Sequence, residues 1–93
     1  MKARSTEAGK KVQFTLSSEP GDLVYVSGTF NQWNPTAHQL KSDPDCGQFR
    51  TTVRMPGGTH EYKFVVNGVW TADPKCAAWV PNCHGTINSV VQV

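Results

Sequence analysis

The chain has 93 residues, which is enough for one small domain and excludes a two-domain enzyme. Its composition is 38% hydrophobic and 17% charged, with eight glycines and six prolines, and this balance disfavours both a disordered chain and a helical bundle. The formal net charge is +2, but basic residues cluster before Val12 and residues 12–93 sum to −1, which argues against a nucleic-acid groove.

Residues 1–10 combine basic, polar and glycine residues without periodicity. This pattern predicts a flexible basic arm or linker, followed by one domain over residues 11–93. From Lys11 onward, short runs of apolar residues alternate with polar ones, which is the period of half-buried strands. The alternating apolar residues are Val12, Phe14, Leu16, Val24, Val26, Phe49, Val53, Met55, Tyr62, Phe64 and Val66.

Turn-forming residues separate these runs at regular intervals, at positions 18–21, 43–47 and 56–58. The Asn67-Gly68 pair predicts a tight type I′ hairpin, because both central residues of that turn need positive φ. Alternation resumes over residues 86–93. Short strands joined by regular turns predict an all-β antiparallel sandwich of seven to eight strands.

The sequence contains no run of 18 apolar residues, and no apolar stretch follows the basic N-terminal residues. We therefore predict neither a transmembrane segment nor a secretory signal, and no membrane partner. Three cysteines cannot all pair with one another, whereas a secreted disulfide framework normally has an even number. The cysteine count thus favours a cytoplasmic location.

Catalytic patterns are weak in this sequence. Most of its seven acidic residues lie in the arm or in turns, and no pattern makes Glu61 and Asp73 a converging pair. Nucleophile-elbow and phosphate-cradle motifs are absent. We therefore expect no catalytic residue and no cofactor.

The cysteines leave three alternatives open. Cys46, Cys76 and Cys83 together with His84 have the side chains of a structural zinc site, but their spacing matches no short chelating loop. A Cys76–Cys83 disulfide is the second alternative. Unpaired, partly buried thiols are the default interpretation, so no metal site is predicted.

Trp33, Trp70 and Trp79 fall in loops or directly after turns rather than at alternating core positions, and loops carry functional residues more often than cores do. One face of a pyranose ring packs well on an aromatic ring, while its hydroxyl groups need hydrogen-bond partners at the edge. Lys63 and Asn88 alternate against the core residues of their strands and are candidates for that edge. The alternatives are rings that cap the sandwich and a solvated strand lysine.

Four segments, in order along the chain, resemble the glycogen-binding domain of carbohydrate-binding module family 48, also called the isoamylase N-terminal or early-set domain. They are VYVSGTFNQWN (24–34), HEYKFVVNGVW (60–70), DP (73–74) and GTINSVVQV (85–93). The resemblance implies an immunoglobulin-like β-sandwich that binds α-1,4-linked glucan without catalysing a reaction. The family includes modules of the AMP-activated protein kinase β subunit, of branching and debranching enzymes, and of stand-alone bacterial proteins.

By position in these segments, Trp33 and Trp70 match the two tryptophans that stack on consecutive glucose units in glycogen-binding members. Lys63 and Asn88 match the lysine and the asparagine that hydrogen-bond to sugar hydroxyls there. The resemblance therefore implies a glucan site made of these four side chains.

Two further residues depart from the family pattern. His84 stands where the kinase module has a leucine that packs on the sugar, so the resemblance implies that this contact is lost or becomes polar. Trp79 is either an additional sugar platform or a cap for the loop that precedes Cys83. Two other functions stay open: a protein-interaction or scaffold module without sugar binding, and an accessory domain of an α-glucan-active enzyme or a kinase regulatory subunit, with a catalytic partner.

Overall fold

A computed structural model of the chain describes residues 9–43, 47–76, 78–82 and 85–93. Residues 1–8 of the predicted arm, the cysteines Cys46 and Cys83, and the predicted site residue His84 lie outside the described residues. The described part contains eight β-strands and one 3₁₀ turn, Thr29–Asn31. The strands are β1 (Gly9–Ser17), β2 (Val24–Gly28), β3 (His38–Asp43), β4 (Gln48–Pro56), β5 (Thr59–Val66), β6 (Val69–Thr71), β7 (Trp79–Pro81) and β8 (Ile87–Gln92).

Every strand pair is antiparallel, so the predicted all-β class is confirmed. β1 begins at Gly9, two residues before the predicted start of the domain. The 3₁₀ turn is the one helical segment in the described residues, and none there is long enough to cross a membrane.

The strands follow the order β1-β4-β3-β2-β5-β8-β7, and β6 pairs with β5 outside this path. β3 changes partner along its length, because residues 38–40 pair with β2 whereas residues 41–43 pair with β4. The sheet therefore folds over at β3, and two layers enclose one core. β5 pairs with β2 along one edge. Along its other edge, residues 59–62 pair with β8 and residues 64–66 pair with β6.

The core forms where the alternating apolar residues of the two layers meet. All of the alternating residues predicted from the sequence are buried in this core or pack against it, as the period of two requires. The ring of Phe14 on β1 lies 4.9 Å from that of Tyr62 and 6.5 Å from that of Phe64 between centroids. It also stacks on Phe30 at 5.6 Å, so β1 is held against the other layer by aromatic contacts.

The predicted hairpin at Asn67-Gly68 is confirmed. Asn67 has a φ of 50° and Gly68 a φ of 83°, which are the positive values that a type I′ turn needs. The turn is tied to the segment before β2, because the Asn67 N–H donates to the Leu23 carbonyl at 2.8 Å and the Leu23 N–H donates to Asn67 Oδ1 at 2.9 Å.

Asp22 connects the Asn67-Gly68 turn by hydrogen bonds to the turn between β1 and β2. One carboxylate oxygen accepts a hydrogen bond from Asn67 Nδ2 at 3.0 Å, and the other accepts from the Ser18 hydroxyl and from the Glu19 N–H. The bonds from Ser18 and then Asn67 hold the pKa of the Asp22 carboxyl below its usual range, because they favour the charged form.

Replacement of Asp22 by Asn should lower the free energy of unfolding at neutral pH, because the carboxylate accepts bonds at both oxygens whereas an amide has one acceptor. Since the folded-state pKa lies below the ordinary 3.8, this stabilisation is complete above that value and is lost as the pH falls through the folded-state pKa. Urea unfolding by circular dichroism should show a difference between wild type and Asp22→Asn that is largest near neutral pH and shrinks as the pH falls below 3.8. A difference independent of pH would contradict this assignment.

Candidate functional site

An open groove of about 790 Å³ lies on the face of β5 that points away from the core. Lys63 lines it, whereas the residues on either side of Lys63 in the strand belong to the core, as alternation along a strand dictates. The eight lining residues are Thr29, Trp33, Glu61, Lys63, Trp70, Asn82, Thr86 and Asn88. The groove thus has two tryptophans on one side. Five of the polar lining residues form what is called here the polar wall: Glu61, Lys63, Asn82, Thr86 and Asn88.

Trp33 enters the groove from the segment after β2. Buried Asn31 shapes this segment, because its Oδ1 accepts from the Gly28 N–H at 3.0 Å and its Nδ2 donates to the Val26 carbonyl at 3.1 Å. The Trp33 N–H then donates to the Gly28 carbonyl at 2.9 Å. These bonds satisfy the backbone of a tight turn that would otherwise bury unpaired polar groups.

The backbone is strained at Gln32 and Trp33, whose φ angles of 55° and 58° fall in the left-handed region. Each residue in this region costs of order 1–3 kcal/mol, and such strain persists where the surrounding structure enforces it. Trp33, one of the two strained residues, lines the groove with its ring. Because strain of this kind clusters at functional sites, the turn is a candidate functional feature.

Trp70 reaches the groove from β6, where it lies opposite Val65 of β5. Its ring centroid is 6.4 Å from that of Trp33, with 49° between the ring planes. Trp70 remains 45% exposed, so the two rings form a tilted apolar floor that is open to a ligand.

The polar wall is joined by hydrogen bonds between β5, β8 and the loop that precedes β8. Lys63 Nζ donates to Thr86 Oγ1 at 2.7 Å, and Asn88 Nδ2 donates to Glu61 Oε1 at 2.9 Å. Asn82 links these two pairs, since its Nδ2 lies 2.8 Å from Thr86 Oγ1 and 2.9 Å from Asn88 Oδ1. Lys63 and Asn88 are each only 8% exposed, so Lys63 is not a solvated surface lysine.

The structure brings together four of the six side chains predicted for the site: Trp33, Lys63, Trp70 and Asn88. Trp79 is not among the lining residues, and it lies in β7 rather than in a loop as predicted. In the register of β7 with β8, Val80 lies opposite Asn88 and Trp79 lies opposite Ser89. Because opposed residues share a face, Trp79 points to the side of the sheet away from the groove.

Four lining residues were not predicted from the sequence: Thr29, Glu61, Asn82 and Thr86. Thr29, Glu61 and Thr86 were included in matched segments but without a role. Glu61 carried one readable signal, since it has the same parity along β5 as Lys63. For Asn82, whose partners Thr86 and Asn88 are only four and six residues away in the chain, no sequence pattern indicated a role.

The other candidate chemistry from the sequence lies outside the groove. The Asp73 carboxylate accepts from the Tyr62 hydroxyl at 2.6 Å, and burial, followed by this bond, raises the pKa of the tyrosine. Tyr62 belongs to the core face of β5 whereas Glu61 faces the groove, so the two acids do not converge. Cys76 is a free, partly buried thiol within 3.3 Å of the Val90 carbonyl. Among the described residues, no three His, Cys, Asp or Glu side chains cluster to hold a metal.

Comparison with known proteins gives one family and a set of close relatives. The family model described as the glycogen recognition site of AMP-activated protein kinase matches residues 11–93. The chain is 40% identical over 76 residues to the 5'-AMP-activated protein kinase subunit beta-2 of Mus musculus, covering 82% of this chain and 27% of the relative. It is 40% identical over 73 residues to the beta-1 subunit of Bos taurus, covering 78% and 25%. The chain therefore spans about a quarter of the length of these relatives.

Replacement of Gly28 by Ala should destabilise the domain, because the added Cβ would overlap the Glu61 carbonyl oxygen and lie 2.7 Å from the Phe30 ring. Relief of such a clash requires a backbone shift in β2 or β5, and we expect a loss of about 2–3 kcal/mol in the free energy of unfolding. Urea unfolding measures it. Gly57→Ala is the matched control, since its Cβ would find ordinary contact at 3.5 Å; equal effects of both variants would contradict the close approach at Gly28.

Proposed function

Because this chain belongs to the family of the glycogen recognition site of AMP-activated protein kinase, we propose that its groove binds an α-1,4-linked glucan such as glycogen, starch or a malto-oligosaccharide. The observation that carries this proposal is the juxtaposition of two tilted tryptophan rings with a polar wall in one open groove. Aromatic rings pack against the C–H faces of sugars, and polar side chains form hydrogen bonds with their hydroxyl groups.

The tilt between the rings supports an α-linked ligand. An α-1,4-linked glucan curves, so the faces of consecutive glucose units are inclined to each other, whereas a β-1,4-linked glucan is a nearly flat ribbon. Trp33 and Trp70 are inclined by 49°, so both rings match neighbouring faces of the curved chain. A flat β-1,4-linked chain that stacks on one of the two rings would not be parallel to the other ring and would not stack on it.

The polar wall supports hydroxyl recognition. Lys63 has three N–H donors, and Thr86 accepts one of them. Asn88 keeps a second amide hydrogen beyond the one that it donates to Glu61. Since sugar hydroxyls both donate and accept, a wall that combines an ammonium, an amide and a carboxylate provides partners of each kind.

The function that we propose for the module is binding rather than catalysis. If stacking on each ring contributes the roughly 1–3 kcal/mol known for stacking on bases, two rings supply about 2–6 kcal/mol. Such a site reaches millimolar to micromolar affinity, about 4–8 kcal/mol. This range suits a polymer with many equivalent chain segments, since repeated weak contacts gain strength through avidity.

The partners and the location of the protein remain predictions. The relatives are named as subunits of AMP-activated protein kinase and are about three times as long as this chain, which supports a kinase catalytic partner over an α-glucan-active enzyme. The scaffold alternative requires the rings to be packed within the fold or covered by a partner, and the 45% exposure of Trp70 argues against packing within the fold. A polar contact from His84 to the sugar and a cytoplasmic location stay predictions from the sequence.

Trp33→Ala and Trp70→Ala should each weaken binding of maltoheptaose by about tenfold or more, because each removes one stacking platform. Isothermal titration measures the affinity, and urea unfolding verifies that each variant is folded. Cellohexaose, the β-linked control, should bind far more weakly to the wild type.

Trp79→Ala is the matched tryptophan control and should keep the affinity of the wild type, because its ring faces away from the groove. A loss in this variant would identify Trp79 as a further sugar platform. Unchanged affinity in both Trp33→Ala and Trp70→Ala would refute the proposed function.

A further inference from the structure

The hydrogen-bond network of the polar wall has a fixed direction that begins at Thr86. The backbone N–H of Thr86 donates to Asn82 Oδ1 at 3.2 Å. Since a backbone N–H can only donate, the atom that it contacts must be the amide oxygen of Asn82. The other amide atom is therefore Nδ2, a donor, and it is this atom that faces Thr86 Oγ1 and Asn88 Oδ1.

The direction continues through Asn88 to Glu61. Because Asn82 Nδ2 donates, the atom of Asn88 that it contacts at 2.9 Å must be the acceptor Oδ1. Asn88 Nδ2 then donates to Glu61 Oε1 at 2.9 Å, and an ionised carboxylate can only accept. An unambiguous donor at one end and an unambiguous acceptor at the other therefore fix the orientation of both amides.

The same argument applies to the hydroxyl group of Thr86. Its oxygen accepts from Lys63 Nζ at 2.7 Å and from Asn82 Nδ2 at 2.8 Å. An ammonium and an amide N–H both donate, so the two lone pairs of the hydroxyl are occupied and its hydrogen must point elsewhere. The Thr86 hydroxyl is thus available as a donor at the groove. Lys63 and Asn82 together cause this, because they occupy both of its lone pairs.

We propose that Asn82 is a positioning residue for glucan binding: its carboxamide sets the donor and acceptor pattern that Thr86 and Asn88 present to sugar hydroxyls. This inference rests on the proposed function. Asn88 is 8% exposed, so water cannot easily replace a lost partner. Reversal of its amide would place Asn88 Nδ2 against the donor Nδ2 of Asn82 and its oxygen against the Glu61 carboxylate, which would leave buried groups unpaired. A ligand with hydroxyls in the matching arrangement therefore meets a wall that is already oriented.

Asn82→Asp is the sharpest test, because it keeps the shape of the side chain and replaces the donor Nδ2 with an acceptor oxygen. That oxygen would face Asn88 Oδ1 and Thr86 Oγ1, and we expect about a tenfold loss of maltoheptaose affinity at neutral pH. Gln92→Glu makes the same amide-to-carboxylate change at an exposed position outside the groove on β8. It should keep the affinity of the wild type, which separates the loss of a donor from the added charge.

The pH profile separates a positioning role from a merely structural one. In Asn82→Asp, the new carboxyl can donate again once it is protonated. The affinity of the wild type divided by that of Asn82→Asp should therefore fall toward one as the pH falls from about 7 toward about 4. Among the described lining residues, Glu61 and Lys63 carry the other charged groups, and both are present in the two proteins that are compared. A ratio that stays constant with pH would overturn the proposal.

Nuclear magnetic resonance of the side-chain amides supplies a second measurement, without ligand. In the free protein the Asn88 amide signals should be well dispersed, and they should move in Asn82→Asp but not in Gln92→Glu. Signals of Asn88 at the position of a solvated asparagine would overturn the proposal. Normal glucan affinity in Asn82→Asp, with loss in Trp70→Ala, would refute the role of Asn82 alone, whereas a wild type that binds no glucan would refute the proposed function itself.

Discussion

The alternation of side chains along β5 is the constraint on which both the core and the groove depend. Tyr62 and Phe64 point into the core, while Glu61 and Lys63 point into the groove. Because the period is two, a shift of β5 by one residue would exchange these two sets. Such a shift would place a charged side chain among buried aromatic rings and would remove the polar wall. Packing of the core therefore selects the register that builds the site.

Two contacts hold β5 in this register, one at each end. At the C-terminal end, the Asn67-Gly68 turn fixes which residues of β5 and β6 are opposed, and this places Trp70 opposite Val65. Toward the N-terminal end, Gly28 lies so close to Glu61 that there is no room for a side chain. The same glycine anchors the turn that carries Trp33. Both rings of the floor are thus placed by the contacts that fix β5.

The parts of the fold that the sequence could predict are those with a local signal. Alternation over residues 62–66 identified the inward face of β5, and Asn67-Gly68 identified its hairpin, because each pattern depends on neighbouring residues alone. The placement of Trp79 in a loop was wrong. β7 has only three residues and ends at Pro81, so it is too short to show a period. Its pairing with β8 determines where the ring points, and pairing cannot be read from a single strand.

The polar wall could not be predicted in the same way, because its members are matched across the fold. Glu61 and Asn88 are 27 positions apart in the chain, and Lys63 and Thr86 are 23 apart. Each residue alone is a common polar side chain on a strand or in a loop. Their significance comes from the way in which donors meet acceptors, and that match exists only once β5 and β8 are paired. The family resemblance supplied Lys63 and Asn88, but it gave no role to the groups that orient them.

If the groove binds glucan as we propose, the rings and the wall contribute differently to recognition of the sugar. The tryptophans expose apolar surface that a ligand covers, so their burial is a net gain. The wall is already internally bonded, and a sugar hydroxyl that joins it replaces a bond to water, which gives a modest net gain. A hydroxyl in the wrong position would instead leave a polar group unpaired on one side or the other, which costs more than a made bond gains. In the glucan complex that we propose, the rings would therefore supply most of the affinity, whereas the wall would supply selectivity among ligands that all stack on the rings.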